Sequence, residues 1–317
     1  MKFLCAALSI LMLCACAFGA CAETEAVTFA DAVIEKAIRK VLNAAEDTPL
    51  TTDDLAKVLE FDCDADGVET LRDLAYCVNL ESFILRGETS AAFSLTPFAG
   101  LTKLTFFRMD GNVINTAPVA ALPQLKTLQI GGYVSELDLS PLAGRDNLES
   151  FYLKKRAQET ETDLSPLQSH VNLRQATLPE LNEGELRPLL ESWPALRYLN
   201  VSVGTVTTDD LAALATRELN VLQLSANGEM IRDFSPLAAQ TELYRVDVTQ
   251  LDNEGLASLA QAVPGLKKLF VNTENITDFT PLLSLAQLEM VQSYGGHLLT
   301  LRETLKDTAV EINPYSF

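Results

Sequence analysis

The stretch DLSPLAGRDNLESFYL, residues 138–153, is written almost again at 163–178 (DLSPLQSHVNLRQATL), 233–248 (DFSPLAAQTELYRVDV) and 278–293 (DFTPLLSLAQLEMVQS). Aligned on the leucine that opens LESFYL, the four copies fall into a longer series. Its anchors are Val58, Leu80, Leu104, Leu125, Leu148, Leu173, Leu196, Leu219, Leu243, Leu266 and Leu288, spaced 21 to 25 residues apart. So narrow a period marks a repeat architecture, in which each unit is one supersecondary element stacked on the next.

The interior of each unit follows from its spacing. Phe151 and Leu153 stand two residues apart after Leu148, and the pair recurs as Phe83/Leu85, Phe107/Met109, Leu128/Ile130, Leu199/Val201, Leu222/Leu224, Val246/Val248 and Leu269/Val271. Alternation with a period of two is a strand with one buried face. A lone unit buries too little to offset the entropy of ordering it, whereas stacked units bury each other's flanks.

The return paths are of two kinds. Proline stands seven residues before the anchor at Pro97, Pro118, Pro141, Pro166, Pro236 and Pro281, preceded by Thr96, Ala117, Ser140, Ser165, Ser235 and Thr280. Ser-Pro or Thr-Pro predicts an N-cap followed by the first position of a short helix. Segments 181–192, 207–215 and 251–262 predict fuller helices. The convex side is therefore expected to alternate tight turns with short helices. The fold class is an α/β solenoid, a horseshoe with about eleven parallel strands on its concave face.

Both ends of the series look like caps. Residues 23–57 place Phe29, Val33, Ile34, Ile38, Val41 and Leu42 at helical spacing, and a second helix starts at Thr51 with Asp54 completing a capping box. Repeats occupy 58–293. Residues 294–317 predict a last helix and a short edge strand at 310–312. Residues 1–22 differ from everything after them: Lys2, an apolar run from Phe3 to Phe18, then small residues, which is the layout of an export signal peptide. Two processing routes are readable. Ala20-Cys21-Ala22 fits a cleavage site, and Phe18-Gly19-Ala20-Cys21 resembles a lipobox that would make Cys21 the lipidated N-terminus. A membrane association is expected only through that lipid anchor.

A helical cap followed by D-L-S-P-L-A-G-x-x-N-L-x-x-L-x-L, matched at Asp138 to Leu153 and in part at 163–178, 233–248 and 278–293, resembles the internalin-type leucine-rich repeat proteins of bacterial surfaces. The resemblance spans Val27 to Ser293. It implies an extracytoplasmic binding scaffold, secreted or lipid-anchored at the cell surface. Two features depart from the pattern: asparagine at the ninth repeat position stands only at Asn112 and Asn227, and the helical connectors are foreign to the purest form.

Chemistry is sparse along the chain. With 43 acids against 24 bases, the net charge is −19, which argues against nucleic acid as a partner. Four of the six cysteines lie in the leader, leaving Cys63 and Cys77, which read as small core residues on opposite walls of one repeat, a separation that favours two free thiols over the disulfide an exported protein could form. DCDADG at 62–67 matches the opening of a calcium loop running to 73, with Asp73 at the twelfth, carboxylate position. A calcium-dependent adhesin is the weaker third reading, because Glu69 takes the eighth position, where an apolar residue belongs, and Phe61 and Cys63 keep the strand register. His170 and His297 are far apart, and His170 sits where other repeats place a core leucine. No catalytic, phosphate or metal signature appears, so no enzyme activity, metal or cofactor is expected.

Function is therefore sought on the sheet. Side chains alternating with the buried pairs form two outward columns, and among them Phe106, Arg108, Tyr152, Tyr198, Arg245 and Phe270 are the residue types that carry binding energy. These six form the candidate patch for a macromolecular ligand, protein before glycan, on a monomer. The competing reading is a structural surface or envelope scaffold with no specific concave ligand, in which these are ordinary strand residues facing solvent.

Overall fold

The structure is a computed structural model and describes residues 26–153, 163–204, 206–226 and 230–314. The segment expected to be an export signal, its Cys21 and the repeat-position Asn227 lie outside the described residues. Among the described residues, one parallel sheet of twelve strands runs in strict sequence order, one strand after each of the eleven anchors and a last one, Glu311–Pro314, along the C-terminal edge. Equivalent repeat positions pair along the sheet, Phe107, for example, lying between Phe83 and Leu128, with one register shift where Ser202 meets Glu180. Strands approach to about 4.8 Å, whereas helices need 8–10 Å, so the sheet is the inner wall of the curve.

The core is the stacked interior of the repeats, and the paired residues Phe83/Leu85, Phe107/Met109 and Leu199/Val201 are buried. Its N-terminal third is aromatic. Phe83 stacks on Phe61 and Phe107 at 5.8 and 5.1 Å, and Phe98 meets Phe83 and Phe107 edge-on at 4.7 and 5.2 Å. Farther along the core is mainly aliphatic, with Phe151, Phe234 and Phe279 set singly in it and Trp193, whose indole N–H donates to the Leu167 carbonyl at 2.9 Å.

The predicted connectors form at Leu186–Ser192, Thr208–Leu214 and Asn253–Ala262. They are not strictly alternated with turns: the first two are successive and pack together. The Ser-Pro and Thr-Pro connectors are mostly single 3₁₀ turns, and their hydroxyl residue is not the N-cap. It is the first residue of the turn, and the residue before it makes no side-chain cap. The backbone N–H groups of Ser140, Ser165, Ser235 and Thr280 instead donate to Asp138, Asp163, Asp233 and Asp278, each at 2.9 Å. The recurring aspartate is thus the turn-forming residue, bonding backbone two positions on.

A second sheet was not legible in the sequence. Ala92–Ser94, Asn112–Asn115 and Val134–Glu136 pair in parallel on the way out to the convex side. Asn112 ties the three repeats together, its amide donating to the Thr89 carbonyl at 2.9 Å and its oxygen accepting from the Tyr133 N–H at 3.0 Å. Gly132 passes so close to the preceding loop that a Cβ there would sit 2.2 Å from the Gly111 carbonyl oxygen.

The ends are closed by helices. Ala32–Leu42 is capped by Asp31, buries Ile34 and Ile38 in the first repeat, and stops at Asn43 in the left-handed region at φ 51°. Val41, read as part of its apolar face, is exposed. Thr51 and Asp54 form the expected capping box of a one-turn helix, Thr52–Leu55. Leu298–Leu305 and Glu311–Pro314 finish the C-terminal end.

Candidate functional site

The twelve parallel strands present their alternate side chains on one surface, and the register fixes which of them meet. Phe106 and Arg108 share a strand. Arg108 forks onto Asp110 at 3.2 and 3.1 Å, and this carboxylate, more than nearby Tyr152 or Asp62, holds its guanidinium pKa above the ordinary value. Tyr152 lies two strands along, past Gln129. Thr177 is the next residue of the same column, and with Gln175 it separates this group from the second.

The second group is tighter. The Tyr198 hydroxyl donates to Gln223 Oε1 at 2.5 Å, the Gln223 amide donates to Asp247, and Arg245 closes the chain with two bonds to the same carboxylate at 2.9 and 2.7 Å. Val221 lies between Tyr198 and Arg245 and is nearly covered by them. Phe270 stands beside Asp247 on the next strand and leans on Tyr294 at 5.9 Å between ring centres. Burial raises the Tyr294 pKa, so its hydroxyl stays protonated at neutral pH. The Tyr198–Gln223 and Gln223–Asp247 bonds cross between strands and the Arg245–Asp247 pair lies along one, so the network locks the side chains at this end of the sheet relative to one another.

The six residues chosen from the sequence therefore form two groups rather than one patch: Phe106, Arg108 and Tyr152, then Tyr198, Arg245 and Phe270. Gln223, Asp247, Val221 and Tyr294 complete the second group and were not singled out. The first three occupy the same outward columns, so the register could have found them; Tyr294 lies beyond both columns, and only the fold brings it to Phe270.

The remaining sequence features resolve into architecture. In the 62–73 segment, Asp62 pairs with Arg86, and buried Asp73 accepts the backbone N–H groups of Ala30 and Asp31. Those carboxylates do not converge, and among the described residues no group of three or more His, Cys, Asp or Glu side chains is placed to hold a metal. Cys63 and Cys77 are both free thiols. Cys77 is in the core and burial pushes its pKa up to about 12, whereas Cys63 is only half-buried, because its strand opens the sheet and has one neighbour. His170 is fully buried, and its Nδ1 accepts from the Leu148 N–H at 3.4 Å. Gln240 takes the same place three repeats on, accepting from the Leu219 N–H at 2.9 Å.

No protein-family model matches the sequence, and no curated protein matches it. Solved structures do. The internalin InlF of Listeria monocytogenes superposes with a TM-score of 0.60 at 19% identity, over 91% of this chain and 96% of that one. The functional domain of InlJ from the same organism gives 0.54 at 15% identity, over 86% of this chain and 63% of that one. A leucine-rich repeat protein of Leptospira interrogans matches 84% of this chain at 14% identity, with a TM-score of 0.44. No helix among the described residues is long and apolar enough to cross a membrane. The fold of this chain is the internalin-type leucine-rich repeat solenoid.

Proposed function

We propose that this protein is an exported, non-enzymatic recognition scaffold that binds another macromolecule, a protein before a glycan, across the concave sheet. The observation that carries the reading is the linked group Tyr198–Gln223–Asp247–Arg245 with Phe270 and Tyr294 beside it. Aromatic and arginine side chains held in place before contact lose little entropy on binding, and such residues dominate interface energetics. A curved sheet rather than a closed cavity suits an extended or convex partner surface.

The reading is tested with the quadruple variant Phe106→Ala, Tyr152→Ala, Tyr198→Ala, Phe270→Ala, compared with the parent by cross-linking on intact cells. Thermal melts establish that the variant folds. Loss of a cross-linked partner from a folded variant is the expected result. Retention of the same partner overturns the concave site, and absence of any partner for either protein favours the scaffold reading.

A further inference from the structure

The concave surface is charged unevenly along its length. On the five strands from Gln175–Leu181 to Lys268–Asn272, the outward columns and the position just before each strand carry Arg174, Arg197, Arg245, Lys267 and Lys268 against Asp247, and Glu180 is the one further exposed carboxylate on these strands, beside Ser202. The same positions on the first two strands carry Glu60, Asp62 and Glu81, and the one base on these strands, Arg86, stands a position farther along and pairs with Asp62. In a chain with 43 acids and 24 bases, the expectation for any patch is the reverse of the first finding.

Part of the basic charge is answered locally: Arg245 by Asp247, Arg197 by Glu218 at 2.9 Å, and Lys267 by Glu289 at 3.7 Å. Glu218 and Glu289 are mostly exposed rim groups, and such pairs are weak and readily exchanged. Among the described residues, neither Arg174 nor Lys268 is in an ion pair. Lys268 also borders a cleft of about 670 Å³ with Tyr244, Asn220, Lys267 and Gln287, and Glu242 and Glu289 on its wall.

Resting on the concave reading above, we propose that the C-terminal half of the concave sheet docks an acidic peptide segment of a protein partner. Its carboxylates meet Arg174, Arg197, Lys267 and Lys268, and its apolar side chains lie on Tyr198, Val221 and Phe270. The carboxylates of Glu60 and Glu81 repel the same segment at the other end, where Asp62 is answered by Arg86, so the charge pattern sets the direction in which the partner lies along the sheet. A polyphosphate or polysulfate is disfavoured because it has no apolar groups to lay on Tyr198, Val221 and Phe270, which interleave with the bases.

The test uses fluorescently labelled poly-L-glutamate as the probe, read by anisotropy with the full chain. A protein of net charge −19 repels this probe unless a local basic site captures it. The parent is expected to bind at low salt and to weaken as salt rises. Arg174→Glu with Lys268→Glu should lower affinity at least ten-fold, while the charge-matched pair Lys40→Glu with Lys103→Glu, on exposed positions elsewhere, should stay within two-fold. No binding by the parent, an equal loss in the control pair, or heparin binding more tightly than the polypeptide each overturns the proposal. Failure here, together with a cell-surface partner that still depends on the concave aromatics, removes the acidic chemistry and leaves the concave reading standing.

Discussion

Asp31 and Asp73 lock the N-terminal helix to the first repeat by reciprocal exchange. Asp31 accepts from Val33 and Ile34 in its own helix and from Glu69 and Thr70 in the repeat, at 2.7–3.0 Å. Asp73, in that repeat, accepts in return from the backbone of Ala30 and Asp31 at 3.0 Å. Each carboxylate satisfies buried donors on the other's side, so the cap and the first repeat are expected to open as one unit. Asp31→Ala removes a helix cap and strands two further N–H groups, at a cost of about 2–4 kcal/mol, measurable by urea denaturation.

The same carboxylates predict an acid limb. Burial raises the Asp31 pKa, but the donors of Ile34, Thr70, Glu69 and Val33 outweigh it and hold the group below its ordinary value. Asp54 is brought to about 2, chiefly by Lys57 and then by Thr51. Asp163, Asp233 and Asp278 are lowered by the hydroxyl and then the backbone N–H of the residue two positions on. Groups whose folded pKa is depressed stabilise fully above their unfolded values and lose that contribution as pH falls through the folded ones. Melting temperature should drop between about pH 4 and pH 2, and Asp31→Ala should make that limb shallower.

His170 predicts a separate limb nearer neutrality. Burial lowers its pKa, so the folded protein keeps the imidazole neutral while the unfolded chain takes up a proton near the ordinary value. Its contribution is complete above about pH 6.5 and is lost as pH falls from there toward the folded pKa. His170→Gln should remove this limb with little change at pH 8, because Gln240 makes the equivalent bond to Leu219. An unchanged limb in the variant would assign the dependence elsewhere.

Two glycines are predicted to be irreplaceable for steric reasons. A Cβ on Gly132 meets the Gly111 carbonyl oxygen at 2.2 Å, and one on Gly255 meets the Ile231 carbonyl oxygen at 2.1 Å. Both obstacles are backbone, which cannot swing aside. Each alanine variant should lose about 2 kcal/mol or more, or fail to fold, whereas Gly100→Ala, which meets nothing within 4 Å, should be close to neutral in the same melts.

Arg245 and Asp247 should be energetically coupled. The Asp247 side chain is 13% exposed and Arg245 40%. Arg245→Ala leaves a covered carboxylate with only Gln223 to donate to it, so the double variant with Asp247→Ala should be less destabilised than the two single losses combined. A coupling of about 1 kcal/mol is expected from a double-mutant cycle, discounted for the exposed guanidinium.

What the sequence revealed and what it withheld follow from the range of the interactions. The period of the anchors, the helix at Asn253–Ala262 and the Thr51–Asp54 box depend on residues close in the chain, and their spacing announces them. The strand Ala92–Ser94 is too short to show alternation and owes its existence to Asn112, a repeat away. Asp31 and Asp73 are 42 residues apart and look like two more acids in an acidic chain. The outward columns could be written down in advance, but the grouping of Tyr198 with Gln223, Asp247 and Arg245 depends on side-chain bonds across strands, and that of Phe270 with Tyr294 on the length of the final strands.

The ladder of Phe61, Phe83, Phe98 and Phe107 also bears on how the chain acquires its structure. In a linear array, folding starts where neighbouring units gain most from each other and then propagates. These units also come first in the chain, so a nucleus formed there would offer each later strand a finished edge to join. Hydrogen exchange should then find the slowest backbone amides within residues 61–107, with protection falling toward the C-terminal end. Assembly in this order leaves a single growing edge at any moment, which limits the chance that strands from different chains pair with one another.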